Sequence, residues 1–168
     1  MRINILDELS RRGEIFTFDD AYKISNVDRS ILKVLLNRLK KQGWIERIEK
    51  GKYMIIPLGA KKSAYTLNEF IIASILVQPS VISYWSALNY YGFTEQIPGT
   101  VFIQTIARKK HQGKTIFGIK YKVIRVKEEK FFGLKQEIIE DSKVILTDKE
   151  KTIINCLGKP QYCGGIIE

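Results

Sequence analysis

The chain has 168 residues, 45% of them hydrophobic and 27% charged, a balance that fits one or two small globular domains and excludes a disordered or fibrous chain. Lys and Arg number 28 against 18 Asp and Glu, a formal charge of +10, which points to a polyanionic partner, nucleic acid before an anionic membrane surface. No apolar run reaches the roughly 18 residues of a membrane span, and the acidic start Met1 to Glu8 does not fit a signal peptide; a cytoplasmic protein without membrane association is expected.

The excess charge falls in two places. Residues 1–62 hold 14 basic and 8 acidic side chains, and residues 63–168 hold 14 and 10. Within the second part, residues 101–130 hold 9 basic against 2 acidic.

In chain order, Ile3, Leu6 and Leu9 are spaced for a helix over 2–12, stopped by Gly13, with Arg11 and Arg12 at the negative end of its dipole. Ile15-Phe16 starts an extended stretch. Thr17-Phe-Asp-Asp20 is a capping-box variant that opens a short helix over 18–25. Asn26-Val-Asp28 is a turn and N-cap. From Arg29 to Gln42, Ile31, Leu32, Leu35, Leu36 and Leu39 form one apolar face, with Arg29, Ser30, Lys33, Asn37, Lys40 and Lys41 largely off it. Gly43 ends this helix. Trp44 to Ile48 and Tyr53 to Ile56 read as strands joined by a tight hairpin, Glu49-Lys50-Gly51-Lys52.

Three helices, an extended segment and a hairpin predict a winged helix-turn-helix over 1–60. Its third helix offers Arg29 and Asn37 for base edges, and Ser30, Lys33, Lys40 and Lys41 for phosphates. Lys50 and Lys52 are the cations of the wing, and Tyr53 is expected to pack at the strand base.

A linker over Lys61–Tyr65 leads to a second domain over 66–168, expected to be α/β with an antiparallel sheet flanked by helices. Thr66-Leu-Asn-Glu69 is a capping box before a helix over 67–77. Ser83 is placed to cap an aromatic helix through Tyr91, in which Trp85, Leu88 and Tyr91 are expected in the core. Val101 to Ile106, Thr115 to Ile119, Tyr121 to Val126, Phe131-Phe132 and Lys143 to Leu146 are strand signals. Thr147-Asp-Lys-Glu150 is a third capping box, opening a helix through Leu157. The loop cations Arg108, Lys109 and Lys110 are expected to extend a DNA footprint through phosphates alone.

Chemistry-bearing motifs are sparse. No phosphate-cradling loop or nucleophile elbow is found. Glu128-Glu-Lys130 matches the Glu-x-Lys element of some nucleases, but residues 96–127 hold no Asp or Glu to complete a metal site. His111 has no acidic or thiol neighbour. Cys156 is expected as a small core residue and Cys163 as an exposed one, at a spacing that matches no redox or metal motif. A non-enzymatic protein is expected, with no catalytic residue, metal or cofactor.

Three stretches carry a family resemblance. Gly13 to Thr17, Leu39 to Ile48 and Lys50 to Tyr53 resemble the winged helix of AbiEi-type antitoxins. Tyr84 to Phe93, Thr147 to Leu157 and Lys159 to Gly165 look like signatures of that family's C-terminal domain. The chain stops at Glu168, where members usually continue with more helices, as in a short or C-terminally truncated member.

The resemblance implies an antitoxin and autorepressor of a type IV toxin–antitoxin system. Its winged helix would bind inverted repeats in double-stranded promoter DNA. Its C-terminal domain would counteract a nucleotidyltransferase toxin without a stable complex. The rival expectations are an RNA-binding protein using the basic surface 108–127, and a nuclease built on the second domain. The oligomeric state is not legible.

Overall fold

The computed structural model describes residues 2–57, 67–108 and 113–165, with side chains described from Ile5 onward. The chain divides into two compact units, Met1–Thr66 and Leu67–Glu168. No helix among the described residues is long and apolar enough to cross a membrane.

The N-terminal unit runs α1 (Arg2–Ser10), β1 (Ile15–Thr17), α2 (Phe18–Ser25), α3 (Arg29–Lys41), β2 (Ile45–Glu49) and β3 (Lys52–Ile55). The strands form an antiparallel sheet in the order β1-β3-β2. Both arms of the capping box form at the start of α2. The Asp20 N–H donates to the Thr17 hydroxyl (3.1 Å) and the Thr17 N–H donates to the Asp20 carboxylate (2.8 Å). Asn26, in the left-handed region at φ 49°, turns the chain into α3. At the other end of α3, Gly43 takes φ +80° and the Trp44 N–H reaches back to the Leu39 carbonyl, closing the helix in the manner of a Schellman turn.

Leu9, Phe16, Ala21, Leu32, Leu36, Leu39 and Ile45 make this unit's core. Tyr53 stacks on Phe16 with ring centres 5.4 Å apart, at the strand base as expected. Ile31 departs from expectation. It is 55% exposed, as is Val34 at 61%, because α3 turns only the Leu32, Leu36 and Leu39 stripe inward. Both line an apolar groove with Ile5, Ile24 and Val27.

The C-terminal unit runs α4 (Glu69–Leu76), β4 (Val81–Ile82), α5 (Tyr84–Tyr90), β5 (Thr100–Thr105), β6 (Gly113–Ile116), β7 (Ile119–Arg125), a 3-10 turn (Glu128–Lys130), β8 (Leu134–Ile139), β9 (Ser142–Thr147), α6 (Lys149–Gly158) and a last 3-10 turn (Pro160–Tyr162). Its six strands lie in the order β6-β7-β5-β4-β9-β8. The sheet is mixed, which corrects the antiparallel expectation. β5 pairs with β7 and β4 with β9 in parallel, and the other neighbours are antiparallel. Local strand patterns carry no information on direction; the crossovers decide it.

Other expectations shift locally. The run Thr115 to Ile119 is not one strand, since Phe117 and Gly118, both at positive φ, form the hairpin turn between β6 and β7. Phe131-Phe132 is not a strand. Instead β8 and β9 form a hairpin that turns at Glu140-Asp141, again both at positive φ.

The N-cap of α4 is Asn68, which accepts from the Phe70 N–H, and Thr66 lies outside the described residues. The N-cap of α6 is Asp148, one residue later than expected, because Thr147 ends β9 with its hydroxyl against that of Thr152. In α5 the buried residues are Tyr84, Ser86 and Ala87, while Trp85, Leu88 and Tyr91 are half-buried. Cys163 is half-buried and joined to Cys156 by a disulfide, which corrects the expectation of two separate cysteines.

Candidate nucleic-acid interface

An amphipathic helix with three leucines in the core must present the opposite face to solvent. On α3 that face carries Ser30, Lys33, Val34, Asn37 and Lys41, all exposed and spaced at three and four residues. The methyl groups of Val34 interrupt an otherwise polar strip, a feature the charge pattern alone did not suggest.

Arg29 begins α3 a quarter-turn to one side. Its guanidinium bonds Asp19 at 3.2 Å and lies 4.9 Å from the Tyr22 ring centre and 5.8 Å from that of Phe18. Such a clamp fixes the direction of a side chain that otherwise has many rotamers. The pair is exposed and adds little stability; its effect is orientation. Lys40 also turns aside, 3.8 Å from Glu46 on β2.

The hairpin tip meets the same corner. The Phe18 N–H donates to the Gly51 carbonyl (2.8 Å), and a Cβ on Gly51 would touch the Phe18 side chain at 3.9 Å. Phe18 therefore joins the tip of the hairpin to the Arg29 end of α3. Gly51 takes φ +77° to make this turn.

Lys50 is exposed at the tip, whereas Lys52 is half-buried and bonded to Glu49 at 3.3 Å. Arg47 is a further cation of this corner, exposed on β2 with its Nε donating to the Glu49 carbonyl (3.3 Å). Its place between Glu46 and Ile48 gave no signal, because the register shift between Arg47 and Glu49 breaks the alternation there.

In the C-terminal unit Arg108 is exposed; Lys109, Lys110 and His111 lie outside the described residues. Lys120 and Lys122 are exposed on β7, where Tyr121 and Val123 point the other way into the core. No group of three or more His, Cys, Asp or Glu that could hold a metal ion occurs among the described residues.

The N-terminal unit is thus a small α+β domain that holds a polar, basic helix outward beside a hairpin. Residues 4–56, almost the whole of its described length, match the family model described as "Transcriptional regulator, AbiEi antitoxin". The resemblance read from Gly13 to Tyr53 is borne out over that span. None of the curated proteins compared with the chain matches it.

Proposed function

We propose that the protein is a DNA-binding transcriptional regulator of the AbiEi antitoxin type, with its N-terminal unit a winged helix-turn-helix. The observation that carries this reading is the corner built around Phe18. There the exposed strip of α3, the clamped Arg29 and the Lys50 tip come together within one small unit. A helix entering a major groove needs its N-terminal residues near base edges and a flanking element on the phosphates. Arg29, Ser30, Lys33 and Asn37 suit the first task, and Lys41 and Lys50 the second. Lys40 and Lys52, each with a carboxylate partner, contribute less.

On this reading the protein acts in the cytoplasm, binding inverted repeats in its own promoter as an autorepressor. The C-terminal unit carries the antitoxin role, opposing a nucleotidyltransferase toxin without a stable complex. The resemblance of Tyr84 to Phe93, Thr147 to Leu157 and Lys159 to Gly165 to the family's C-terminal signatures supports this division.

The deciding experiment is a titration of the full chain on labelled upstream duplex, a scrambled duplex and matched RNA at several salt concentrations. Preference for the upstream duplex supports the reading. Equal affinity for the two duplexes, or preference for RNA, removes it, and the latter would transfer the function to Lys120, Lys122 and their neighbours.

A further inference from the structure

The C-terminal unit gathers cations in a different way. A cavity of about 430 Å³ is bounded by the end of β7, the 3-10 turn that follows it, and α6. Arg125, Lys127, Lys130, Lys151 and Lys159 line it, and none of its described lining residues is acidic. These cations come from three separate segments, so no local sequence run explains their convergence.

Lys151 is the central one. It is only 4% exposed. Its ammonium lies 3.7 Å from the centre of the Phe132 ring and makes no ion pair among the described residues. The nearby Asp148 accepts the backbone N–H of Lys151 at 2.7 Å as N-cap of α6. Burial first, and then the charge of Lys130, lower the Lys151 pKa, against the opposing pull of Asp148.

The chain is built tightly around this side chain. Gly133, at φ +66°, lies so close that a Cβ there would stand 2.7 Å from the Lys151 Cβ. Lysine is rarely buried without a partner, since desolvation of an ammonium weighs heavily against a small domain's narrow margin of stability.

Polar groups complete the wall. The Asn155 amide donates to Gln104 and the Gln104 amide donates to the Tyr84 hydroxyl, both at 3.5 Å. These bonds are long, so the amides keep capacity for another partner. Tyr84 sits at φ +55°, an unusual backbone for an aromatic residue. Burial pushes its phenol up to about 12, so it keeps its proton at neutral pH. Phe132, 53% exposed, stands beside Lys151.

Clustered cations with no lining carboxylate call for an anion of several charges. The cavity has the size of a small-molecule site and exceeds what one phosphate would fill. We propose that it binds a nucleoside phosphate, the phosphates held by Lys130, Lys151 and Lys159 and the base facing the Gln104 and Asn155 amides. The site is independent of DNA binding by the N-terminal unit.

The test is calorimetric titration of the full chain with the four ribonucleoside triphosphates, pyrophosphate, adenosine and a short single-stranded RNA. At least one triphosphate binds and raises the melting temperature, pyrophosphate binds more weakly, and adenosine gives no signal. Lys151→Met keeps the apolar stem and weakens the triphosphate about tenfold or more, as expected for a lost charged hydrogen bond. Lys130→Ala, on an exposed side chain that the fold does not need, weakens it several-fold and guards against a folding artefact.

Absence of binding by every triphosphate at millimolar concentration overturns the proposal, as does affinity unchanged by both substitutions. Equal affinity for pyrophosphate overturns the nucleoside half of it. Binding of RNA without any mononucleotide hands the surface to a strand instead.

Discussion

The two basic regions handle positive charge in opposite ways. In the N-terminal unit the cations either stand in solvent, as Lys33, Lys41 and Lys50 do, or lean on one carboxylate each, as Arg29 does on Asp19, Lys40 on Glu46 and Lys52 on Glu49. In the C-terminal unit five cations line one cavity whose described lining residues include no carboxylate; Lys127 leans outward on Glu129 at 3.8 Å, and Lys151 is buried. Residues 1–62 carry net +6 and 63–168 net +4, so net charge alone does not show that the second region gathers five of its cations around one cavity. An exposed, spaced row suits a long polyanion and is screened by salt. A cluster gathered around the buried Lys151 suits a compact anion, and at that buried ammonium salt screens less.

The largest expected effect concerns the scaffold behind the exposed row. Leu36 is fully buried in the N-terminal core, and Leu36→Ala should cost about 2–5 kcal/mol, read from urea unfolding. DNA affinity should fall with the folded fraction, while triphosphate binding by the C-terminal unit should persist. Simultaneous loss of both would erase the distinction between the regions.

Next comes the exposed face itself. Arg29→Ala and Asn37→Ala should each cost about 1–3 kcal/mol on the upstream duplex and relax sequence choice. Retained affinity and choice in the double variant would remove α3 as the reading element.

A smaller effect attaches to the capping box. Thr17→Ala should cost about 1 kcal/mol. The Thr17 hydroxyl and N–H bonds hold the Asp20 carboxyl below its ordinary 3.8 despite partial burial. A carboxyl so lowered stabilises the fold above its unfolded pKa and loses that contribution as pH falls through the folded one. The gap between wild type and Thr17→Ala should therefore narrow below pH 3.8, followed by unfolding at several pH values. A gap independent of pH would show that the ionised carboxylate plays no part.

The smallest effect sharpens the wing. Lys50→Ala should lower the salt dependence of DNA binding by roughly one unit, and Lys52→Ala by less, since Lys52 already has Glu49. Equal slopes for wild type and Lys50→Ala would take the hairpin off the phosphates.

Much of the N-terminal unit was legible in the sequence because its determinants are local. The leucine spacing of α3, the Thr17 and Asp20 pair, Gly43 and the Lys50-Gly51 turn each act within a few residues. Even there, Ile31 shows the limit. Periodicity defines an apolar arc but not how much of it a neighbour covers, and the core takes only Leu32, Leu36 and Leu39 fully.

In the C-terminal unit the sequence located β5, β7, β9, part of β6 and the α6 helix, since alternation and capping residues are also local signals, but it missed β4 and β8. Strand direction, the hairpin turns at Phe117-Gly118 and Glu140-Asp141, and the Cys156–Cys163 pairing came only from the assembled chain. So did the cavity. In sequence Lys130 belongs to the Glu128-Glu-Lys130 element, Lys151 to the start of a helix and Lys159 to the stretch before Gly165, and no local spacing links the three. Long-range packing of β7, the 3-10 turn and α6 around Gly133 brought them together. Which residues favour helix, strand or turn is decided by neighbours a few positions apart; which charges share one enclosed space is decided by contacts the linear pattern does not encode.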